Sequence, residues 1–97
     1  MKSEVTARCG RRELTGELTH DNERRYLCLE TDEGTERLSM SLEQFGLTPE
    51  SGNVFIKNWS EHAGLTASLV SQGLVTIVHT LTVGQFRSTA YEVRVTF

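Results

Sequence analysis

Residues Val54 to Val75 read VFIKNWSEHAGLTASLVSQGLV, a strand-like apolar run, a helix start and a glycine stop in immediate succession. Asn58 followed three residues later by Glu61 has the form of a capping box, with Ser60 a competing N-cap. Either side chain can accept a hydrogen bond from the unpaired amides of a first helical turn. The spacing therefore predicts a helix beginning between Trp59 and Glu61. Leu65 and Leu69 share one face, and Ala63, Ala67 and Val70 widen it into a stripe suited to covering a sheet. Gly73 falls where a left-handed residue ends a helix. Gly64 costs a helix interior about 1 kcal/mol relative to Ala. Either a neighbouring backbone approaches there, or the helix starts later.

Downstream, Leu74 to Val83 places Val75, Ile77, His79, Leu81 and Val83 on one face, with Val78 out of phase. Phe86 to Phe97 answers it with Tyr91, Val93, Val95 and Phe97, so the two predict a terminal hairpin through Gly84. Upstream, Glu4 to Cys9, Glu13 to Thr19, Arg24 to Thr31 and Thr35 to Met40 alternate with the period of strands. Polar turns at Gly10, at His20-Asp21-Asn22-Glu23 and at Asp32-Glu33-Gly34 separate them. Leu27 and Leu29 share one face of the third strand and Tyr26 and Cys28 the other, which suits a central strand. Ser41 to Gly46 reads as one capped helical turn.

The expected fold is α+β, a mainly antiparallel curled sheet or small barrel of about seven strands packed on one helix. The order is β-β-β-β-turn-β-α-β-β. At 97 residues the chain is expected to be a single domain, with a β-meander half at 1–46 and a β-α-β-β half at 53–97. The first 50 residues carry seven Lys/Arg against eleven Asp/Glu, and the rest three against two, for a net charge of −3. That balance disfavours a general nucleic-acid or anionic-membrane binder, which needs a dense basic face. No apolar run approaches a membrane span and nothing resembles a signal peptide, so a cytoplasmic location is expected. Cys9 and Cys28 are then expected to be reduced core residues.

The run Ile56-Lys57-Asn58-Trp59-Ser60-Glu61, then Gly64-Leu65, Leu69-Val70 and Gly73-Leu74-Val75, ending in Val83-Gly84 and an alternating strand, resembles a pattern in small uncharacterised bacterial domains. There the helix opens on Ile-Lys, a polar residue, an aromatic, Ser and Glu. The stretch from Gly73 to Gly84 is longer here. The resemblance implies that residues 54–97 form a structural unit and carries no activity with it.

Two clusters have chemistry. Lys57, Trp59 and His62 with Ser60 and Glu61 form a polar group at the expected helix start, where free amides favour an anion. The competing account is that Asn58, Ser60 and Glu61 cap the helix while Trp59 anchors it. Arg8, Arg11, Arg12, Arg24 and Arg25 are the basic concentration, with Tyr26 beside them as a stacking residue. Glu13, Glu17, Asp21 and Glu23 are interleaved and could neutralise them as cross-strand pairs. His79 sits on an apolar face with no partner carboxylate in view. His20, His62, His79, Cys9 and Cys28 lack the short spacing of a zinc site, so no metal and no cofactor are expected. No phosphate-binding, dinucleotide or hydrolase motif occurs.

The sequence thus predicts a non-catalytic binding protein of bacterial or phage type. It would engage a protein partner, or a second copy of itself, through a sheet edge supplied by the last strand or through the arginine-rich hairpins. The alternative is a nucleic-acid-binding small barrel using those arginines.

Overall fold

The structure, a computed structural model, describes residues 4–97. Its elements follow the expected order: β1 (Glu4–Cys9), β2 (Arg12–Asp21), β3 (Tyr26–Thr31), β4 (Gly34–Arg37), β5 (Asn53–Lys57), α1 (Leu65–Ser71), β6 (Val75–Val83) and β7 (Ser88–Val95). The chain is α+β: the described residues form seven strands in two antiparallel sheets and one α-helix, and the sheets do not close into a barrel. One sheet runs β1-β2-β3-β4 and the other β5-β7-β6.

The first sheet is a meander whose turns set its register. Cys9 pairs with Arg12 across Gly10-Arg11, and Thr31 with Gly34 across Asp32-Glu33. The connection between β2 and β3 is later than the sequence indicated. His20 and Asp21 stay paired with Leu27 and Tyr26, so the loop is Asn22–Arg25, which moves Arg24 and Arg25 off the strand and into the turn. Gly16 is fixed by close approach: a Cβ there would lie 2.0 Å from the Glu30 carbonyl oxygen. β4 stops at Arg37, short of the expected Met40. Ser39 Oγ takes the Leu27 amide at 2.9 Å in place of a backbone partner. Met40 then crosses to the other sheet, donating to the Phe55 carbonyl at 2.8 Å.

Three expectations about the second half are corrected. The helix begins at Leu65, four to six residues later than the capping box implied. Ser60–His62 is a separate 3₁₀ turn, Gly64 takes a left-handed φ of 81°, and neither turn nor helix has a side-chain cap. Asn58 Oδ1 accepts from the Gly64 amide at 3.0 Å, bracing the link between turn and helix. Leu65, Thr66 and Leu69 form the buried side of α1, while Ala67 and Val70 face water. Gly73 ends it as expected: its amide bonds Val70 and the Leu74 amide reaches back to Leu69, the paired bonds of a Schellman motif.

The last strand is not an edge. β7 lies between β5 and β6, and the outer strands are β1 and β4 in one sheet and β5 and β6 in the other. The alternation of β6 is also broken. Ile77 pairs with Val93 but His79 pairs with Glu92, leaving Val78 as a bulge. Val75 and Ile77 thus share a face with Val93, whereas His79, Leu81 and Val83 share the other with Glu92 and Ala90.

That shift follows from the second sheet being covered on both sides. One core takes Val5, Ala7 and Leu27 from the first sheet, Leu65 and Leu69 from α1, and Val54, Ile56, Val75 and Val93 from the second. The other, on the opposite face, packs Leu42, Phe55, Val83 and Ala90 with Met40, Leu47 and Trp59. Glu92 is buried on this second face. Its Oε2 accepts from Asn53 Nδ2 at 2.7 Å and from the Glu50 amide at 3.1 Å.

Two substitutions test this packing by chemical denaturation. Gly16→Ala forces a Cβ into the β3 backbone and should cost about 1–3 kcal/mol; unchanged stability would mean the strands are further apart. Glu92→Leu strands the Asn53 and Glu50 donors and should cost about 1–3 kcal/mol, with exchange of the Glu50 amide accelerated.

Candidate functional site: an arginine cleft at the β2–β3 turn

The five arginines do not form one surface. Arg8, Arg11 and Arg12 lie at the β1–β2 turn, and Arg24 and Arg25 beyond the far end of β2, whose ten residues span about 30 Å. At the first end Arg8 pairs with Glu13 at 3.2 Å, and Arg12 lines a depression together with Asp32 and Glu33. The charges there are mixed. At the second end Arg24 and Arg25 meet a further guanidinium, Arg37, in a cleft of about 310 Å³.

The turn that carries the first two is tightly built. Asp21 Oδ1 accepts from the amides of Glu23 and Arg24 at 3.1 and 3.2 Å. Arg25 closes the loop with a φ of 58°, a region that favours glycine. Its Nη1 donates to the Asn22 carbonyl and to Asn22 Oδ1, while its Nε is buried with no hydrogen-bond partner. Asn22 also ties the turn to the loop before β5: Oδ1 accepts from the Gly52 amide at 2.7 Å, and Nδ2 donates to Ser51 Oγ at 3.2 Å. The 48–53 segment, held from its other side by Glu92, thereby places Thr48 and Pro49 against the arginines.

Arg37 ends β4, and its guanidinium stacks over the Tyr26 ring at 4.0 Å. That contact fixes the plane of a side chain that is otherwise long and mobile. Met40, Leu42 and Leu47 supply apolar lining, and Glu43 a single carboxylate. Arg24 pairs with Asp21 at 3.8 Å, with both side chains largely exposed, which contributes little. Among the described residues neither Arg25 nor Arg37 forms an ion pair.

Arg37 was missed in the sequence although a signal was there. The two-residue turn Asp32-Glu33 fixes Cys28 opposite Arg37, which makes Tyr26 and Arg37 diagonal neighbours on one face. Cys28 lies between them; burial pushes its thiol up, more than the Arg37 guanidinium draws it down, and it stays protonated at neutral pH. Neither cysteine forms a disulfide, and Cys9 lies in the core.

The other expected cluster comes apart. Trp59 packs into the second core, with Lys57 Nζ 5.8 Å from its ring centre, and His62 is buried in the 3₁₀ turn ahead of α1. His79 is exposed and opposite Glu92, a carboxylate the sequence reading did not connect with it. Among the described residues no group of three or more His, Cys, Asp or Glu could hold a metal ion. No helix among them is long and apolar enough to cross a membrane.

No protein family, curated protein or solved structure matches the chain.

His20, adjoining the turn, gives the site a pH signature. Burial lowers its pKa from the ordinary 6.5, Asp21 pulls it back up, and Arg25 lowers it further. The unfolded chain then takes up the proton first, so this stability is complete above the ordinary value and is lost as pH falls through the lowered one. Between about pH 7.5 and 5.5 the wild type should lose stability more steeply than His20→Gln. Parallel curves from urea melts would remove His20 as the cause.

Proposed function

We propose that this chain is a small non-catalytic binding module that takes an acidic segment of a protein partner into the arginine cleft. The observation that carries the reading is Arg25. Its left-handed φ of 58° is shared by Arg87, but its guanidinium is folded back over the turn, with Nη1 on Asn22 and Nε buried without a protein partner. Glycine would fit that backbone better. What arginine adds is a guanidinium that lines one cleft together with Arg24 and Arg37.

The surroundings support the same reading. The Tyr26 stack pre-orients Arg37, so little side-chain freedom remains to be lost on binding. Met40, Leu42 and Pro49 offer apolar contact for the carbon skeleton beside an acidic group. β4 is an outer strand next to the cleft, and an extended segment could pair with it while its acidic side chain reaches the guanidiniums. A nucleic-acid strand draws less support, because the basic groups sit about 30 Å apart along β2, with Asp32 and Glu33 beside the more distant set.

The test uses immobilised peptides of graded net charge. Binding should rise with negative charge and fall about 10- to 100-fold in an Arg25→Gly, Arg37→Ser double variant, the loss of one or two charge-assisted hydrogen bonds. Arg11→Ala with Arg12→Ala should leave it unchanged. Loss of binding in the second pair, or indifference to the first, would overturn the assignment.

A further inference from the structure

Resting on that reading, we propose that the acidic group taken by the cleft is a phosphate monoester, the phosphorylated side chain of a peptide, in preference to a carboxylate. The charge lining the cleft decides this. Among the lining residues Arg24, Arg25 and Arg37 contribute three positive charges and Glu43 one negative, an excess of two that the exposed Arg24–Asp21 pair at 3.8 Å offsets only weakly. A carboxylate supplies a single charge against it. A phosphate monoester near neutral pH carries −1.5 to −2 charges and three acceptor oxygens.

The donors suit such a group in kind as well as in number. Guanidinium forks pair bidentately with phosphate oxygens, and Arg37 already lies over Tyr26, 4.0 Å from its ring centre. Arg25 lines the same cleft with Nη1 committed to Asn22, which holds its guanidinium in place beside Arg24 and Arg37. Ser41 and Thr48 add neutral hydroxyls to the lining. The acidic groups around the cleft narrow the choice further. Glu43 lines it, and Asp21 and Glu23 stand in the same turn as the arginines. They tolerate an isolated dianion neutralised by three guanidiniums, but repel a run of phosphodiesters extending past it.

Degenerate peptide pools with a fixed central phosphoserine, phosphotyrosine or glutamate are the probes, measured by fluorescence anisotropy. A phosphorylated pool should bind about tenfold or more tightly than the glutamate pool. Inorganic phosphate should displace it. Glu43→Gln should tighten binding a few-fold by removing the one repulsive carboxylate in the lining. Arg25→Gly should abolish the preference for phosphate while retaining a cooperative melt at or above the wild-type melting temperature, since glycine relieves the strained φ. Equal affinity for glutamate and phosphorylated pools, with both lost in Arg25→Gly, would overturn the phosphate assignment and leave the acidic cleft standing. Insensitivity of every pool to Arg25→Gly and Arg37→Ser would overturn both. Tighter binding of a single-stranded oligonucleotide than of any peptide pool would also overturn the proposal.

Discussion

A meander sheet exposes the outer edge of its first strand, and a three-stranded sheet needs cover for its apolar face; in this chain one short helix meets both demands. α1 buries Leu65 and Leu69 in the core shared by the two sheets. On its other flank Gln72 Nε2 donates to the Thr6 carbonyl at 2.9 Å, Ser68 Oγ accepts from the Arg8 amide at 3.1 Å, and the Ala63 carbonyl accepts from the Gly10 amide at 2.7 Å. Those are backbone groups on the open side of β1, satisfied by a helix and its lead-in where another strand would otherwise pair. The helix is seven residues long, too short to stand alone in water, so its stability comes from these tertiary contacts.

With β1 closed in this way, the opposite side of the assembly is free to carry the cleft. The chain leaves β4 at Arg37, is diverted by the Ser39 hydroxyl, and crosses to β5 through Met40. The connection that follows drops Leu42 and Leu47 onto the second core and returns along the arginine turn, where Asn22 and Glu92 hold it from two sides. A buried carboxylate on the central strand is costly unless its oxygens are satisfied. Glu92 has two donors on one oxygen, both from the segment that forms the cleft wall, so the group that fixes the fold there also fixes the site.

Much of the fold was legible because local rules govern it. The β1–β2 and β3–β4 turns are two residues long, and those turns dictate strand register. Leu65 and Leu69 at a four-residue spacing, and Gly73 behind them, fixed the helix face and its end. What failed depended on contacts distant in sequence. The capping-box pattern at Asn58 and Glu61 gave way because Asn58 turned to the Gly64 amide instead. Val78 was correctly out of phase, yet only the presence of a second core beneath Leu81 and Val83 explains why β6 changes faces there. The placement of β7 between β5 and β6 could not be read from its position at the chain's end, since nothing local states which strand a hairpin will admit as a neighbour. The site was half legible for the same reason: Arg24, Arg25 and Tyr26 are contiguous, whereas Arg37 joins them through pairing and Leu42 to Pro49 through a long connection.

A left-handed arginine alone does not mark a binding site, and the molecule contains its own comparison. Arg87 closes the four-residue β6–β7 loop as Arg25 closes the β2–β3 loop, with φ of 51° against 58°. The shared conformation belongs to the loop length, which places its last residue in that region whatever the sequence. Arg87, however, is exposed beside Phe86 at the tip of a hairpin. Arg25 folds back over its own turn, has its Nε buried, and lines one cleft with Arg24 and Arg37. Like charges gathered along one cleft repel one another. That repulsion, and not the backbone strain common to both loops, is what an anion would relieve.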